Sequence, residues 1–350
     1  MNKLTFQTRN SSLTNVFSVK KQKNHCKVNY SSINFIPLQQ VYNQKPKSNI
    51  LIMKPMRQIF FSFILAASCI TASAQQKFML PNANPQAKDT EHEIEQYGGR
   101  TILGVVNPSV EVYLPDAAKA NGCAVILCPG GGLKALSWTS DVIEMAKLLN
   151  DNGYAAIGLK YHLNSAPMPQ GIKFPPMVDV TGFANFKDGD CNPVHFVHGD
   201  SILALAAADA NAAMRLVREH AAEWKISKVG YVGFSAGGGV AFAATNVAKP
   251  EEMPDFICTN FGPALCPVKV PNPAPPLLIM SRVDHPNVAG GLVSLFMEWK
   301  KAGGNAEIHL YGDGKGPYQL MPQNGTTTTE AWSQQMLLWL KAKGFCNAAK

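Results

Sequence analysis

Val229-Gly-Tyr-Val-Gly-Phe-Ser-Ala-Gly-Gly-Gly-Val240 is the stretch from which the chain is best read. Its first half is an apolar run of strand type, and its second half opens a small-residue helix over residues 237–247. The bend between them carries Gly233-Phe234-Ser235-Ala236-Gly237, which is G-x-S-x-G in a strand–turn–helix setting. At such an elbow the serine backbone is strained and the residues two away must be small. The hydroxyl then stands clear of the sheet, beside the positive end of a helix. A bare G-x-S-x-G says little, since glycine-rich strand ends are common; the flanking strand and helix make Ser235 the expected nucleophile.

Outward from the elbow, apolar strands alternate with amphipathic helices. Cys123-Ala-Val-Ile-Leu-Cys128 and the run 155–161 read as buried parallel strands. Residues 109–114 alternate polar and apolar, as a half-exposed edge strand does, and 75–97 reads as a flexible lead-in. Helices are expected at 139–152, 201–223 and 291–302, and short strands at 255–259, 276–281 and 306–311. The last helix starts with a capping box, Thr327 to Glu330, and stops at Gly344. The long Pro- and Gly-rich stretch 163–200 is of the kind that is usually functional or disordered. No period of about 20–50 residues repeats. The pattern predicts an α/β architecture, a doubly wound and mostly parallel sheet flanked by helices, with chemistry at the carboxyl ends of the strands.

Two strand ends bear on Ser235. Cys128-Pro-Gly-Gly-Gly-Leu133 follows the first buried strand. A glycine run lets backbone N–H groups turn inward, and acyl transfer needs such donors at the oxyanion. Gly131 and Gly132, with the N–H of Ala236, are therefore the expected oxyanion hole. A flexible turn is the plain alternative, and a phosphate loop is disfavoured because G-x-x-x-x-G-K-S/T is absent. Asp284, in Ser281-Arg-Val-Asp-His-Pro286, falls at a later strand end and fits the order Ser…Asp…His.

Taken together, residues 109–345 resemble the carbohydrate-esterase, acetyl-xylan- and feruloyl-esterase-like branch of the α/β-hydrolase superfamily. The resemblance rests on Val112-Tyr-Leu-Pro, Cys128-Pro-Gly-Gly-Gly, Leu136-Ser-Trp and Leu159-Lys-Tyr. It continues through the run 209–218, Gly233-Phe-Ser-Ala-Gly-Gly and the Asp284 turn, all in the family's order. It implies a serine hydrolase of acyl esters in which Ser235 attacks and Asp284 orients the base, with no metal or organic cofactor.

One departure weighs against the matches. The family's last strand ends in a turn that supplies the catalytic His, and here Lys315 stands in its place, in Tyr311-Gly-Asp-Gly-Lys-Gly-Pro-Tyr318. Lysine's unperturbed pKa lies about four units above that of histidine, so Lys315 serves as a base only if burial lowers it. His195 and His198, on the long loop, are alternative bases. With Asp200 they also form H-x-x-H-x-D, a weak metal signal. His285 adjoins Asp284 too closely in sequence to pair with it, and His309 lies inside the last strand as a packed residue. The base stays open, and with it a second reading: a catalytically impaired fold that binds a glycan or a protein partner. A peptidase is a third, weaker reading, unsupported by any propeller or large cap.

The 350-residue chain has a net charge of +8, but ten of its 32 Lys and Arg and none of its 24 Asp and Glu lie in residues 1–74. The rest holds 22 basic against 24 acidic residues, which excludes a nucleic-acid surface. Residues 53–74 read as a signal peptide: a basic start, the apolar run 59–67 and the A-x-A site Ala72-Ser73-Ala74. That run is too short to span a bilayer, so no stable membrane span is expected. Cys69 suggests a lipoprotein site, but Ala66 stands where such a site wants Leu. Residues 1–52 read as a disordered upstream extension, 75–350 as one hydrolase domain, and the location as periplasmic or secreted. Of the later cysteines, Cys123 and Cys128 are expected as buried thiols, and Cys258 with Cys266 as the first candidate disulfide.

Overall fold

The computed structural model of the chain describes residues 76–346 apart from 83–84, 86, 97–98, 165–185, 193–199, 284–287, 313–319, 321–323 and 326. In chain order its strands are β1 (Gln76–Met79), β2 (His92–Gln96), β3 (Gly99–Leu103), β4 (Ser109–Tyr113), β5 (Cys123–Cys128), β6 (Ala135–Ser137), β7 (Ala155–Lys160), β8 (Lys228–Phe234), β9 (Ile257–Asn260), β10 (Leu277–Arg282) and β11 (Ala306–Tyr311). The helices are α1 (Met145–Asp151), α2 (Asp200–Glu219), α3 (Ala236–Val247), α4 (Ala289–Lys301) and α5 (Trp332–Ala342).

Eight strands form one sheet in the order β1-β4-β7-β5-β8-β9-β10-β11, and β2-β3-β6 form a small antiparallel sheet. From β7 to β11 every neighbouring pair is parallel, while β4 runs antiparallel to both of its neighbours, β1 and β7. The continuous apolar strands β5 and β7 are buried throughout, as strands covered on both faces must be. One face carries α2, α3 and α4: the Tyr231 hydroxyl of β8 donates to the Ala210 carbonyl of α2 at 3.1 Å, and Phe242 of α3 meets Trp299 of α4 edge-on at 6.0 Å. The other face carries α1 and α5, with Phe234 of β8 edge-on to Trp332 at 6.2 Å. The doubly wound parallel sheet expected from the alternation is the fold observed.

The winding reverses at β5. The chain leaves β5 for β7 on one side and returns through α2 to β8 on the other. The carboxyl ends of β5 and β8 therefore lie side by side at the switch point, with Cys128 opposite Gly233. Ligands of open α/β sheets bind at such a crevice.

The structure corrects four expectations. The lead-in contains β1 and β2, and β1 rather than β4 is the sheet edge. β4 lies between β1 and β7 with all five residues buried, and its polar Glu111 takes the Tyr113 hydroxyl at 2.8 Å and faces Lys160 Nζ at 3.5 Å. Paired charges thus cover the face that its alternation suggested was wet. The helix over 139–152 opens as a wider π-helical turn, Thr139–Glu144, before α1. The capping box before α5 is present as expected, Glu330 accepting the N–H groups of Thr327 at 3.2 Å and Gly325 at 2.8 Å. Cys258 and Cys266 are free thiols, Cys258 buried within β9. Cys123 and Cys128 are buried thiols as expected, and burial pushes both thiols well up.

Candidate active site

At the end of β8 the chain reverses into α3 within one residue. Ser235 takes φ 50° and ψ −122°, a conformation that costs a side-chain-bearing residue about 1–3 kcal/mol and persists only where its surroundings impose it. Here they do. The Ser235 N–H donates to the Asn260 carbonyl at 3.1 Å, and the Ser235 carbonyl accepts the Gly238 N–H at 2.9 Å. Between residues 229 and 245 Ser235 alone is not buried, so the bend brings one side chain to the surface of a closed core. A methyl at Gly233 would lie 2.6 Å from the Gly238 backbone, and one at Gly237 would lie 2.0 Å from the Cys128 carbonyl oxygen. The small residues of G-x-S-x-G are thus demanded by contact.

The loop after β5 packs against this bend. A methyl at Gly130 would lie 3.0 Å from the Phe234 carbonyl oxygen and 3.2 Å from Ser235 Cβ. The loop's carbonyls are tied down in turn. Pro129 O accepts the Tyr161 hydroxyl at 2.6 Å, and Gly130 O accepts the Ser137 N–H at 3.0 Å. Gly131 O accepts the N–H groups of Lys134 and Ala135, both at 3.1 Å. In a trans peptide the N–H points opposite its carbonyl, so each anchored C=O turns the next N–H the other way. The N–H groups of Gly131 and Gly132 have no acceptor among the described residues, and both glycines are half-exposed where Gly130 is buried. The N–H of Ala236 opens α3, where no intrahelical acceptor exists. Three backbone donors without an acceptor among the described residues, beside a half-exposed serine, are what acyl transfer asks of a site.

Asp284 and Lys315 lie outside the described residues, Asp284 following β10 in the chain and Lys315 following β11. His195, His198 and His285 are also outside them, as are the segments 1–52 and 53–74. The described histidines are engaged elsewhere. His309 faces Glu307 on edge strand β11 at 2.7 Å, His220 faces Glu223 at 2.8 Å, and His92 faces the Thr90 carbonyl at 2.9 Å. His162 looks more like a base, because its Nδ1 sits 2.8 Å from Asp209 Oδ2. Its Nε2 is taken by Asn82 Oδ1 at 3.2 Å and the ring is buried, so this pair joins β7, α2 and the residue-82 segment and has no nitrogen left for Ser235. No cluster of three or more His, Cys, Asp or Glu suited to a metal occurs among the described residues. No helix among them is long and apolar enough to cross a membrane.

Two polar residues at the site escaped the sequence reading. Asp141, buried in the π-helical turn, accepts the Gly130 N–H at 2.8 Å and the Ser140 hydroxyl at 2.7 Å. Burial raises its carboxyl from the ordinary 3.8 to about 6, with the two hydrogen bonds opposing the shift. Tyr161, just past β7, is the second; burial holds its hydroxyl well above the usual phenol range, so it is neutral. Neither is near Gly130 in sequence, and a lone Asp in a helical pattern reads as a solvated one.

No family model and no curated protein matches the chain by sequence. Solved structures do match. An acetyl ester-xyloside bifunctional hydrolase from Caldicellulosiruptor lactoaceticus superposes with a TM-score of 0.51 at 19% identity, over 80% of this chain and 100% of its own. A butyrate-bound thermophilic esterase, Est2, from Thermogutta terrifontis gives 0.50 at 18% identity, over 70% of this chain and 92% of its own. At such identities the likeness establishes the fold: the chain has the α/β-hydrolase fold.

Proposed function

We propose that this chain is an exported serine-type carboxylic-ester hydrolase that deacylates carbohydrate or small acyl esters. The observation that carries the reading is Ser235, held at φ 50° as the one residue not buried between 229 and 245, beside a loop whose Gly131 and Gly132 N–H groups have no acceptor among the described residues. In this reading Ser235 Oγ attacks the acyl carbon while a base takes its proton. The carbonyl oxygen becomes an oxyanion held by the N–H groups of Gly131, Gly132 and Ala236. The C–O bond to the alcohol then breaks, the alcohol leaves with a proton, and water repeats the attack on the acyl-enzyme. The Caldicellulosiruptor and Thermogutta proteins, named for acetyl-ester and ester hydrolysis, support the acyl-ester class. Asp284 orients the base, and Lys315 stands where the base is expected.

The test is labelling by a fluorophosphonate probe with turnover of p-nitrophenyl acetate and acetylated xylan. Labelling and turnover are expected in the parent and lost in Ser235→Ala. Lys315→His is expected to raise kcat by about 10²-fold or more, the usual gain from a positioned general base. A parent that already turns over normally, and loses this in His195→Ala or His198→Ala with no gain from Lys315→His, moves the base to the long loop. A parent inert to probe and substrate leaves the impaired, glycan- or protein-binding module.

A further inference from the structure

We propose that Asp141 and Tyr161 are positioning residues for ester hydrolysis: together they clamp the Pro129–Gly130 peptide and thereby aim the Gly131 and Gly132 N–H groups at the space in front of Ser235. The inference rests on the hydrolase reading above and names two residues which that reading does not need.

The peptide between Pro129 and Gly130 is gripped at both ends. Its carbonyl oxygen takes the Tyr161 hydroxyl at 2.6 Å, and its N–H gives its hydrogen to Asp141 Oδ2 at 2.8 Å. The two grips come from different elements, both later in the chain: Tyr161 is 32 residues from Pro129, and Asp141 is 11 from Gly130. The clamp sits against the nucleophile. The point a Gly130 Cβ would occupy is 3.3 Å from Asp141 Oδ2 and 3.2 Å from Ser235 Cβ. Gly130 is thus the spacer between carboxylate and nucleophile, and the next two residues carry the free donors. Fixing the plane of one peptide leaves the following N–H groups only the freedom of Gly130 and Gly131 themselves, which Ser137, Lys134 and Ala135 then remove through the two carbonyls.

Packing alone does not call for these groups. A buried carboxylate is costly to desolvate, and an apolar residue of similar volume is often neutral or stabilising in its place. Both Asp141 oxygens are used, one on the loop and one on the Ser140 hydroxyl, so its orientation is fixed on both sides. The π-helical turn Thr139–Glu144 is what brings the residue there, and such wide turns recur at functional sites. Oxyanion donors act only when aimed at the transition-state oxygen, so a loosened clamp lowers kcat and kcat/KM together and leaves KM nearly unchanged.

The experiment uses the full chain and three variants: Tyr161→Phe, Asp141→Leu and Asp141→Asn. Measured are kcat and KM for p-nitrophenyl acetate, the fluorophosphonate rate at Ser235, the melting temperature and glycine-selective ¹⁵N spectra. Tyr161→Phe and Asp141→Leu are each expected to lower kcat and the labelling rate about tenfold or more, with KM within about twofold. Asp141→Asn keeps a carbonyl oxygen for the Gly130 N–H and an amide for Ser140 Oγ. It is expected to recover most of what Asp141→Leu loses, and to melt above the parent because the buried charge is gone. The Gly130 amide proton, bonded to a carboxylate, is expected at low field and to move upfield in Asp141→Leu. Parental kcat in both Tyr161→Phe and Asp141→Leu, with only the melting point lowered, overturns the proposal by making the clamp structural. If Asp141→Leu does not fold, Tyr161→Phe decides alone. A parent that neither hydrolyses nor labels defeats the hydrolase reading and this proposal with it, whereas an active parent with unaffected variants defeats the proposal alone.

Discussion

At the scale of single residues, the site is a set of local costs that the fold imposes. Ser235 occupies a backbone conformation it would not choose, and Asp141 holds a carboxyl where water does not reach. The Asp141 cost has a pH signature. Its carboxyl titrates at about 6 when folded and near 3.8 when unfolded, so the folded state holds the proton more tightly. Between those values the unfolded chain binds fewer protons than the native one, and stability falls as pH rises. Below about pH 4 both states are protonated and the group is neutral to stability; above about pH 6 the full penalty stands. At 1.36 kcal/mol per unit this is on the order of 3 kcal/mol. Asp141→Asn is therefore expected to unfold at higher urea than the parent at pH 7, with the difference shrinking to nothing near pH 4. Equal midpoints at pH 7 would mean that Asp141 titrates as an ordinary surface carboxylate.

At the scale of elements, what the sequence made legible was whatever depended on close neighbours. The elbow was readable because Gly233, Ser235 and Gly237 meet each other's turn within five residues, and the loop after β5 because three successive glycines have few uses. Neither β1 nor β2 was readable: each is short and mostly exposed, and exists because β4 or β3 offers it an edge. The clamp was hidden for the same reason, since Tyr161 and Asp141 gain meaning only where β7 and the π-helical turn converge on Gly130. The glycines of the two loops also separate by element. A Cβ at Gly237 would meet the Cys128 carbonyl at 2.0 Å, so Gly237→Ala forces α3 away from β5, at about 1–3 kcal/mol or more. A Cβ at Gly132 meets nothing within 4 Å, and at φ +64° its cost is about 1–2 kcal/mol of backbone strain. Gly132→Ala is thus expected to fold but lose about 10²–10³ in turnover if the oxyanion needs its N–H. Gly237→Ala is expected to melt several degrees lower and lose activity with its structure. Undiminished hydrolysis in a folded Gly132→Ala would make that residue part of a turn only.

At the scale of the whole molecule, the proposed processing site and the edge of the sheet fall next to each other in the chain. The signal-peptide reading cuts before Gln75, and β1 starts at Gln76. A cut there removes ten basic residues, takes the chain from +8 to a balance of 22 basic against 24 acidic, and keeps every described strand of the sheet. A cut a few residues later would not. Gln76 to Met79 pair with Val112 to Ser109 and close the open side of β4, and Phe78 packs against His220 at 5.0 Å and Trp224 at 5.8 Å. Without β1 that strand presents bare N–H and C=O groups to other chains, a template for aggregation. Burial of the Phe78 ring alone contributes up to about 1.5–3 kcal/mol. A chain beginning at Gln75 is therefore expected to melt within about 2 °C of the full-length protein and to bind an anion rather than a cation exchanger at neutral pH. A chain beginning at Leu80 is expected to melt roughly 5–10 °C lower and to aggregate on concentration. If the chain is exported as proposed, N-terminal sequencing of the mature protein is expected to read Gln75. A terminus within β1, or a Leu80 chain as stable as the Gln75 chain, would show that the strand and the processing site are unrelated.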